Sequence, residues 1–415
     1  MKNIIDVKTP VLDGNKITYE YSVSGKWEEA FSDERFSVEY DLDIHNVPKS
    51  VLIIPFLANI LPMSWVYNAE IIIPVCDKDF FESIPDFKKG YEEMYPSMSF
   101  GGTISVKEIQ ENRQIDQEGS VAFFSGGVDA HCTLLRHAKE KPLLITLWGS
   151  DVKVDNPDAW NRVRNANIET AHNFNVDYTF VKSTFRRFLN QKNLDKIVEQ
   201  SKDAWWHGFQ HGIGILSHAA PVVYALKKKT IYIASTFQAK YKGKYTCASD
   251  PSIDNYVRYC GAHVVHDGYE LSRYDKVDII TDYSKKSGTK INIRACWASK
   301  YGTNCCHCEK CWRTILAIYA TKNDPREYGF DYDSFDNVAR DIKDNRKELG
   351  KFKEARYKPI WEAIRQNYTR KSINPSIRWF YSSRFSELET GTIFERGLKK
   401  TKRLARKVLK KLHLK

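Results

Sequence analysis

From Val121 onward the chain alternates short apolar runs with helix-like stretches, and this alternation leaves few folds open. The runs are VAFF at 121–124, PLLITLWG at 142–149, DYTFV at 177–181, TIYIAST at 230–236 and AHVVHD at 262–267. Helical patterns lie between them, as in DAWNRVRNANIETAHNF at 158–174 and WWHGFQHGIGILSHAAPVVYAL at 205–226. Strand, helix, strand, helix implies an α/β fold with a parallel sheet covered on both faces. That core is expected over 117–321. Before it, KITYEYSVSG and RFSVEYDLDI alternate with a period of two, so 1–116 reads as a β-rich N-terminal domain. Two continuous apolar runs there, SVLIIPFLANILPM and AEIIIPVCD, are expected to be buried, and polar ENRQIDQEGS at 111–120 reads as the join. Residues 322–395 read as a small helical appendage and 396–415 as a separate tail.

The first run ends in VAFFSGGVDAHCTLLRHA. A strand that stops at Ser-Gly-Gly and restarts as a helix makes an anion site. Glycines let backbone N–H groups converge on one point, and the helix N-terminus adds partial positive charge. Ser125, Gly126, Gly127, Val128 and Asp129 are therefore the candidate phosphate-binding residues. No Lys-Ser/Thr pair follows, which excludes a Walker loop, and the spacing does not fit G-x-G-x-x-G. An ordinary Gly-Gly turn is the alternative. The second run ends in WGSDV, where Gly149, Ser150 and Asp151 could approach an adenosine. A plain helix cap at Ser150 or Asp151 is the alternative there.

Nine cysteines are present, and five fall between Cys296 and Cys311. Cys296, Cys305, Cys308 and Cys311 have the spacing of a tetrahedral zinc site. Cys306 and His307 are surplus and could substitute, so spacing alone leaves the ligand set open. In HGFQH, His207 and His211 lie four apart on one helix face. No acidic third ligand stands nearby in sequence, so packing or substrate contact is favoured over metal.

The formal charge of +12 suggests nucleic acid until its location is considered. Arg396 to Lys415 holds ten Lys or Arg and no acid, leaving about +2 for the rest. Leu404, Val408 and Leu412 form an apolar stripe in this tail. It is expected either to lie on an anionic membrane surface or to be a solvated tail, with RNA the weaker partner. No run of eighteen apolar residues and no signal-peptide pattern occurs, so a cytoplasmic protein, peripheral at the inner face of the membrane, is expected.

SGGVDA resembles the Ser-Gly-Gly-x-Asp-Ser loop of the ATP pyrophosphatase (PP-loop) family, whose core is adenine nucleotide alpha hydrolase-like (HUP-like). The resemblance implies that the loop holds the pyrophosphate end of ATP with Mg2+, that Asp129 serves catalysis, and that AMP is transferred to a carboxylate or carbonyl oxygen before a nucleophile displaces it. Ala130 stands where the family usually has a second serine, so one hydroxyl is absent from the phosphate cradle. C-x8-C-x2-C-x2-C after such a domain is similar to 7-cyano-7-deazaguanine synthase, in which structural zinc closes the end of the fold. In matching order, YIAST places Ser235 on the late strand, SDPSIDNYVRYCG places Asp254 in the substrate-contacting loop, and SRYDKVDIITDYS places Lys276 at or near the lysine of a Lys-x-Glu helix. The acid of that helix is an aspartate here, Asp278. The resemblance covers 121 to about 320. The longer layout looks like extended relatives found beside surface-polysaccharide genes and in antiviral operons. It implies a ligase forming an amide or nitrile from a small or glycan-linked carboxylate and an ammonia or amine donor. Modification of tRNA or of a protein, and a nucleotide-binding module without turnover, are the alternatives. A homodimer is compatible with all three.

Overall fold

The structure, a computed structural model, describes residues 2–296, 300–345 and 354–390. The tail at 396–415, with the membrane expectation attached to it, lies outside the described residues. Contacts divide the chain into two compact units, Met1–Glu270 with Lys300–Thr303, and Leu271–Ser299 with Asn304–Lys415. Among the described residues no helix is long and apolar enough to cross a membrane.

The first unit contains two sheets. Its N-terminal strands are β1 (Ile4–Val7), β2 (Val11–Asp13), β3 (Lys16–Thr18), β4 (Tyr21–Ser24), β5 (Ser37–Tyr40), β6 (Glu70–Asp77) and β7 (Thr103–Gln110). Four of them form a sheet in the order β4-β1-β6-β7. The apolar run at 50–63 is mostly helix, with its main body Ile54–Tyr67, and nearly every residue of that helix is buried. A helix apolar all round has no face to offer water and must lie in the core.

The second sheet carries β8 (Ser120–Phe123), β9 (Leu143–Trp148), β10 (Tyr178–Ser183), β11 (Thr230–Ala234), β12 (Arg258–Tyr259) and β13 (Ala262–Asp267). Five run parallel, in the spatial order β10-β9-β8-β11-β13. In chain order these are the third, second, first, fourth and fifth, so the winding reverses between β8 and β11. All four residues of β8 are buried, as a central parallel strand requires. Open α/β sheets bind ligands outside the carboxyl ends of the strands at such a reversal.

The division differs from the joins expected after residues 116 and 321. β5 pairs antiparallel with β10, and β3 and β2 continue the same sheet. They occupy the backbone edge that β10 would otherwise expose. The supposed join is tied down as well. Asn112 Nδ2 donates to Asp77 Oδ1 at 2.8 Å, and Arg113 pairs with Asp79 at 2.6 Å. The same two aspartates accept the backbone N–H groups of Cys260 and Gly261, at 3.1 and 2.7 Å. N-terminal residues and the β12–β13 turn thus share buried polar contacts and one apolar core.

The second unit is helical, with Arg273–Ser287, Glu309–Ala320, Phe335–Asn345 and Glu354–Asn367 as its longest helices. The first is fixed at both ends. Ser272 and Asp275 make a reciprocal capping box, and Gly288 at φ 70° ends the helix.

Candidate functional sites

The Ser125–Asp129 loop leaves the carboxyl end of β8, beside the reversal. Phe124 N donates to Ile145 O at 2.8 Å, and Thr146 Oγ1 donates to Phe124 O at 2.7 Å, so the strand end is clamped to its neighbour. Gly126 then takes φ 75°, a left-handed conformation that favours glycine. Gly127, at φ −82° and ψ 174°, caps the helix Val128–Arg136, and no side chain caps that helix. The helical ladder opens with His131 N donating to Gly127 O at 3.0 Å. Gly127 N donates to Ser125 Oγ at 3.3 Å, and the first turn of a helix is where backbone N–H groups favour an anion. His131 braces the turn from below. Its Nδ1 lies 3.0 Å from Gly127 O, and burial pushes the imidazole down to about 4, so it is neutral.

Ala130 is 5 % exposed and packs with Ala122, Phe124, Leu134 and Leu144. The position where the resemblance expects a second serine is therefore a buried one, inside an apolar cluster. Further along the helix, Asp267 at the end of β13 accepts from Thr133 Oγ1 at 2.7 Å and Arg136 Nε at 3.2 Å, and faces His137 Nε2 at 3.1 Å. Against its burial, the hydrogen bonds from His137 and then Thr133 hold this carboxyl below the ordinary range. The helix is thereby bolted to the strands across the reversal.

Gly149 follows β9 with φ 115°, and a Cβ there would stand 2.0 Å from Ser183 O. Only glycine lets the two strand ends approach so closely. The cap expected at Ser150 or Asp151 lies instead at Asn156, whose side chain accepts Ala159 N at 3.1 Å. Ser150 O accepts from Arg186 Nη1 at 3.2 Å, and that guanidinium lies 4.0 Å above the Trp206 ring. Burial lowers the Arg186 pKa, and the charge of Asp151 acts against this. Ser235, just past β11, is buried. Its N–H donates to Asp267 O at 2.8 Å and its hydroxyl to Phe237 O at 2.7 Å.

Asp254 ends a short helix, Pro251–Asp254, and is fully buried. Its Oδ2 accepts Ser249 Oγ at 2.7 Å and faces His266 Nδ1 at 2.8 Å. His207 and His211 belong to a helix whose first turn, Trp206–Gln210, is wound as a π-helix. Asp203, one turn earlier, holds His207 Nδ1 at 3.0 Å, and itself accepts Thr246 Oγ1 at 2.6 Å and Tyr95 Oη at 3.0 Å. His211 Nδ1 lies 3.5 Å from Cys247 Sγ. Burial alone would push the Cys247 thiol up, but His211 and then His207 outweigh it and bring it down to about 6. Asp203, followed by Cys247, pushes His207 up to about 10.

The four cysteines come together in the second unit. Cys296 Sγ lies 3.4 Å from Cys305 Sγ and 3.7 Å from Cys308 Sγ, and Cys305 and Cys311 are 4.0 Å apart. A zinc–sulfur bond of ≈ 2.3 Å sets tetrahedral edges of about 3.8 Å, so the group could hold one metal ion such as zinc. Cys308 caps the helix Glu309–Ala320 and Cys311 lies in its first turn, where the helix dipole favours a thiolate. Hydrogen bonds from Cys308 and Cys311 hold Cys296 well below the usual thiol range and push those two up in turn. Such a group carries four thiolates only around a cation.

Spacing left the ligand set open, and geometry closes it. Cys306 takes φ 58° and turns its sulfur away to Asp331 O at 3.2 Å. His307 pairs with Asp341 at 2.7 Å. Among the described residues the four cysteines are the one group placed for a metal, and His207 and His211 are not part of any. Lys276 is buried on the helix Arg273–Ser287 of the second unit, whereas Asp129 belongs to the first.

Sequence reading missed Cys247, which joins the histidines only through folding, and overlooked the acid nearby, Asp203, four residues before His207. It also missed Asn304, whose side chain receives the backbone N–H groups of Ala295 and Cys296 at 2.9 and 3.2 Å. No protein-family model, curated protein or solved structure matches the chain.

Proposed function

We propose that the chain is a PP-loop-type ligase that binds ATP, activates a carboxylate or carbonyl oxygen with release of pyrophosphate, and forms a C–N bond. The observation that carries this reading is the Ser-Gly-Gly turn at the carboxyl end of β8, beside the reversal of strand order. Ser125 to Asp129 would hold the phosphates, with Asp129 organising Mg2+. Gly149, Asp151 and Ser235, at the ends of β9 and β11, would border the adenosine. ATP supplies the phosphoryl leaving group. The residues of this chain bind and orient it. His207, His211 and Asp254 are assigned to the substrate side. The cysteine group is assigned a structural zinc, which would support folding of the second unit.

A carboxylate, small or glycan-linked, is the proposed substrate, with ammonia or an amine as donor. A nucleotide-binding module without turnover, with Ala130 in place of the second serine, is the alternative. Exchange of labelled pyrophosphate into ATP, measured across a panel of carboxylates, tests the proposal. Exchange that appears only with a particular carboxylate is expected. Absence of nucleotide binding by calorimetry would overturn the reading.

A further inference from the structure

We propose that Cys247 is a nucleophilic thiolate that accepts an acyl group, held by His211 and by a His207–Asp203 relay. The inference rests on the reading above for the origin of the activated acyl group, but not for the chemistry of the sulfur. Two segments about forty residues apart build the arrangement. Asp203 precedes the π-wound turn, His207 and His211 lie on and just after it, and Cys247 comes from the loop that follows β11. The loop and helix are in backbone contact, with Ala248 N donating to His207 O at 2.8 Å. A Cβ on Gly212 would stand 2.4 Å from Ala248 O, so only glycine lets the helix come this near. Asp203 is saturated by His207, Thr246 and Tyr95, which fixes it as an acceptor and orients the imidazole.

A nucleophilic cysteine needs a base whose far nitrogen is held by a third group. Here the carboxylate takes His207 Nδ1, and His211 approaches the sulfur from the next turn. The titratable groups facing the sulfur are His207 and His211 on the helix, Asp203 beyond them, and Tyr91 and Tyr95 from the helix Lys78–Met94 and its end. Both tyrosines stay neutral, because burial pushes them up. The two imidazoles are therefore the groups that settle the charge on sulfur. Cys247 is 4 % exposed while the His207 side chain is 42 % exposed, so the approach proposed for the donor is past His207. The stacked rings of Phe237 and Tyr245, 5.6 Å apart, stand beside that entry.

The step is balanced with a mixed carboxylic–phosphoric anhydride as donor. Cys247 sulfur attacks the acyl carbon, a C–S bond forms, the C–O bond to phosphorus breaks, and the phosphate leaves with the electron pair. An amine then attacks the thioester. A C–N bond forms, the C–S bond breaks, the thiolate returns, and the amine proton passes to solvent.

Acetyl phosphate is the probe, because it is small and supplies the activated acyl group without ATP. Full-length protein is incubated with it from pH 5 to 9 and analysed by intact and peptide mass. One hydroxylamine-labile acetyl group on Cys247 is expected, with a rate midpoint near pH 6 instead of near the ordinary thiol value of about 8.5. Asp203→Asn should move that midpoint upward, a shift that loss of packing alone would not produce. Absence of a Cys247 adduct, while an added small thiol is acetylated in the same tube, would overturn the proposal. So would a midpoint near 8.5. The wild-type adduct needs no variant to fold. Acetylation of Cys247 in a protein that fails to exchange pyrophosphate would sink only the ATP reading.

Discussion

The side-chain oxygen of Asn304 accepts the backbone N–H of Cys296 at 3.2 Å, and so fixes the one cysteine that stands apart in sequence from the other three. The Asn304 amide also donates to Ile293 O at 2.6 Å and Gly329 O at 2.8 Å, pinning both flanks of the site. Groups that orient metal ligands without touching the ion commonly change affinity about 10–100-fold when removed. Asn304→Ala should weaken zinc binding by about that factor, read by competition with a chromophoric chelator. Cys308→Ser should lose the metal and lower the melting temperature. Cys306→Ser and His307→Ala should keep it. Loss of zinc from Cys306→Ser would mean that the ligand set is wrong.

The Asp203–His207 pair gives stability a pH dependence with a defined sign. His207 is pushed up to about 10 from its ordinary 6.5, so its contribution is full below pH 6.5 and fades as pH rises through about 10. Against its burial, hydrogen bonds from His207 and then Thr246 hold Asp203 below its ordinary 3.8, so its contribution is present above 3.8 and lost on further acidification. The pair therefore stabilises most between about pH 4 and 6.5. Asp203→Asn should cost about 1–2 kcal/mol at pH 6, the partly exposed imidazole being screened, and less at pH 9. Urea unfolding of both proteins across this range checks it. A difference that grows with pH would contradict the pairing.

The pattern of apolar runs and punctuation made the local elements legible. All five core runs are parallel strands, VAFFSGGVDA is strand, turn and helix, and CWRTILAIYA is helical. What was not legible depends on partners far away. Nothing in KITYEYSVSG says that part of it will join β5 at the edge of β10, because edge pairing is a property of the assembled sheet. Cys247 gave no signal beside histidines forty residues earlier. Cys306 looked equivalent to its neighbours until its positive φ turned the sulfur away. The burial of Ala130 was not legible either, because a motif records residue types and not their surroundings.

The basic tail can be tested without reference to the fold. Ten cations with Leu404, Val408 and Leu412 at four-residue spacing should bind anionic vesicles at low salt and release them as salt rises. Deleting 396–415 should abolish that binding and leave nucleotide affinity unchanged, measured by vesicle co-sedimentation and calorimetry. Full-length protein that ignores anionic vesicles but holds RNA with a steep salt dependence would move the assignment to nucleic acid.

The loop itself separates two roles that one substitution at either glycine would confuse. Gly126 has φ 75°, so Gly126→Val carries a backbone cost of about 1–2 kcal/mol besides any effect on ligand. Gly127 has φ −82°, which any residue adopts, so Gly127→Val tests the approach of an anion with less backbone strain. Titration with a non-hydrolysable ATP analogue should show affinity reduced at least tenfold in Gly127→Val with the melting temperature little changed. Gly126→Val should lose both affinity and stability. Asp129→Asn should lower pyrophosphate exchange more than stability. Ala130→Ser should change affinity little, because position 130 is buried within an apolar cluster. A tenfold gain in affinity there would mean that the side chain at 130 turns toward the phosphates after all. Unchanged affinity in Gly127→Val would make the Ser-Gly-Gly segment a turn and nothing more, and the ATP reading would lose the observation that carries it.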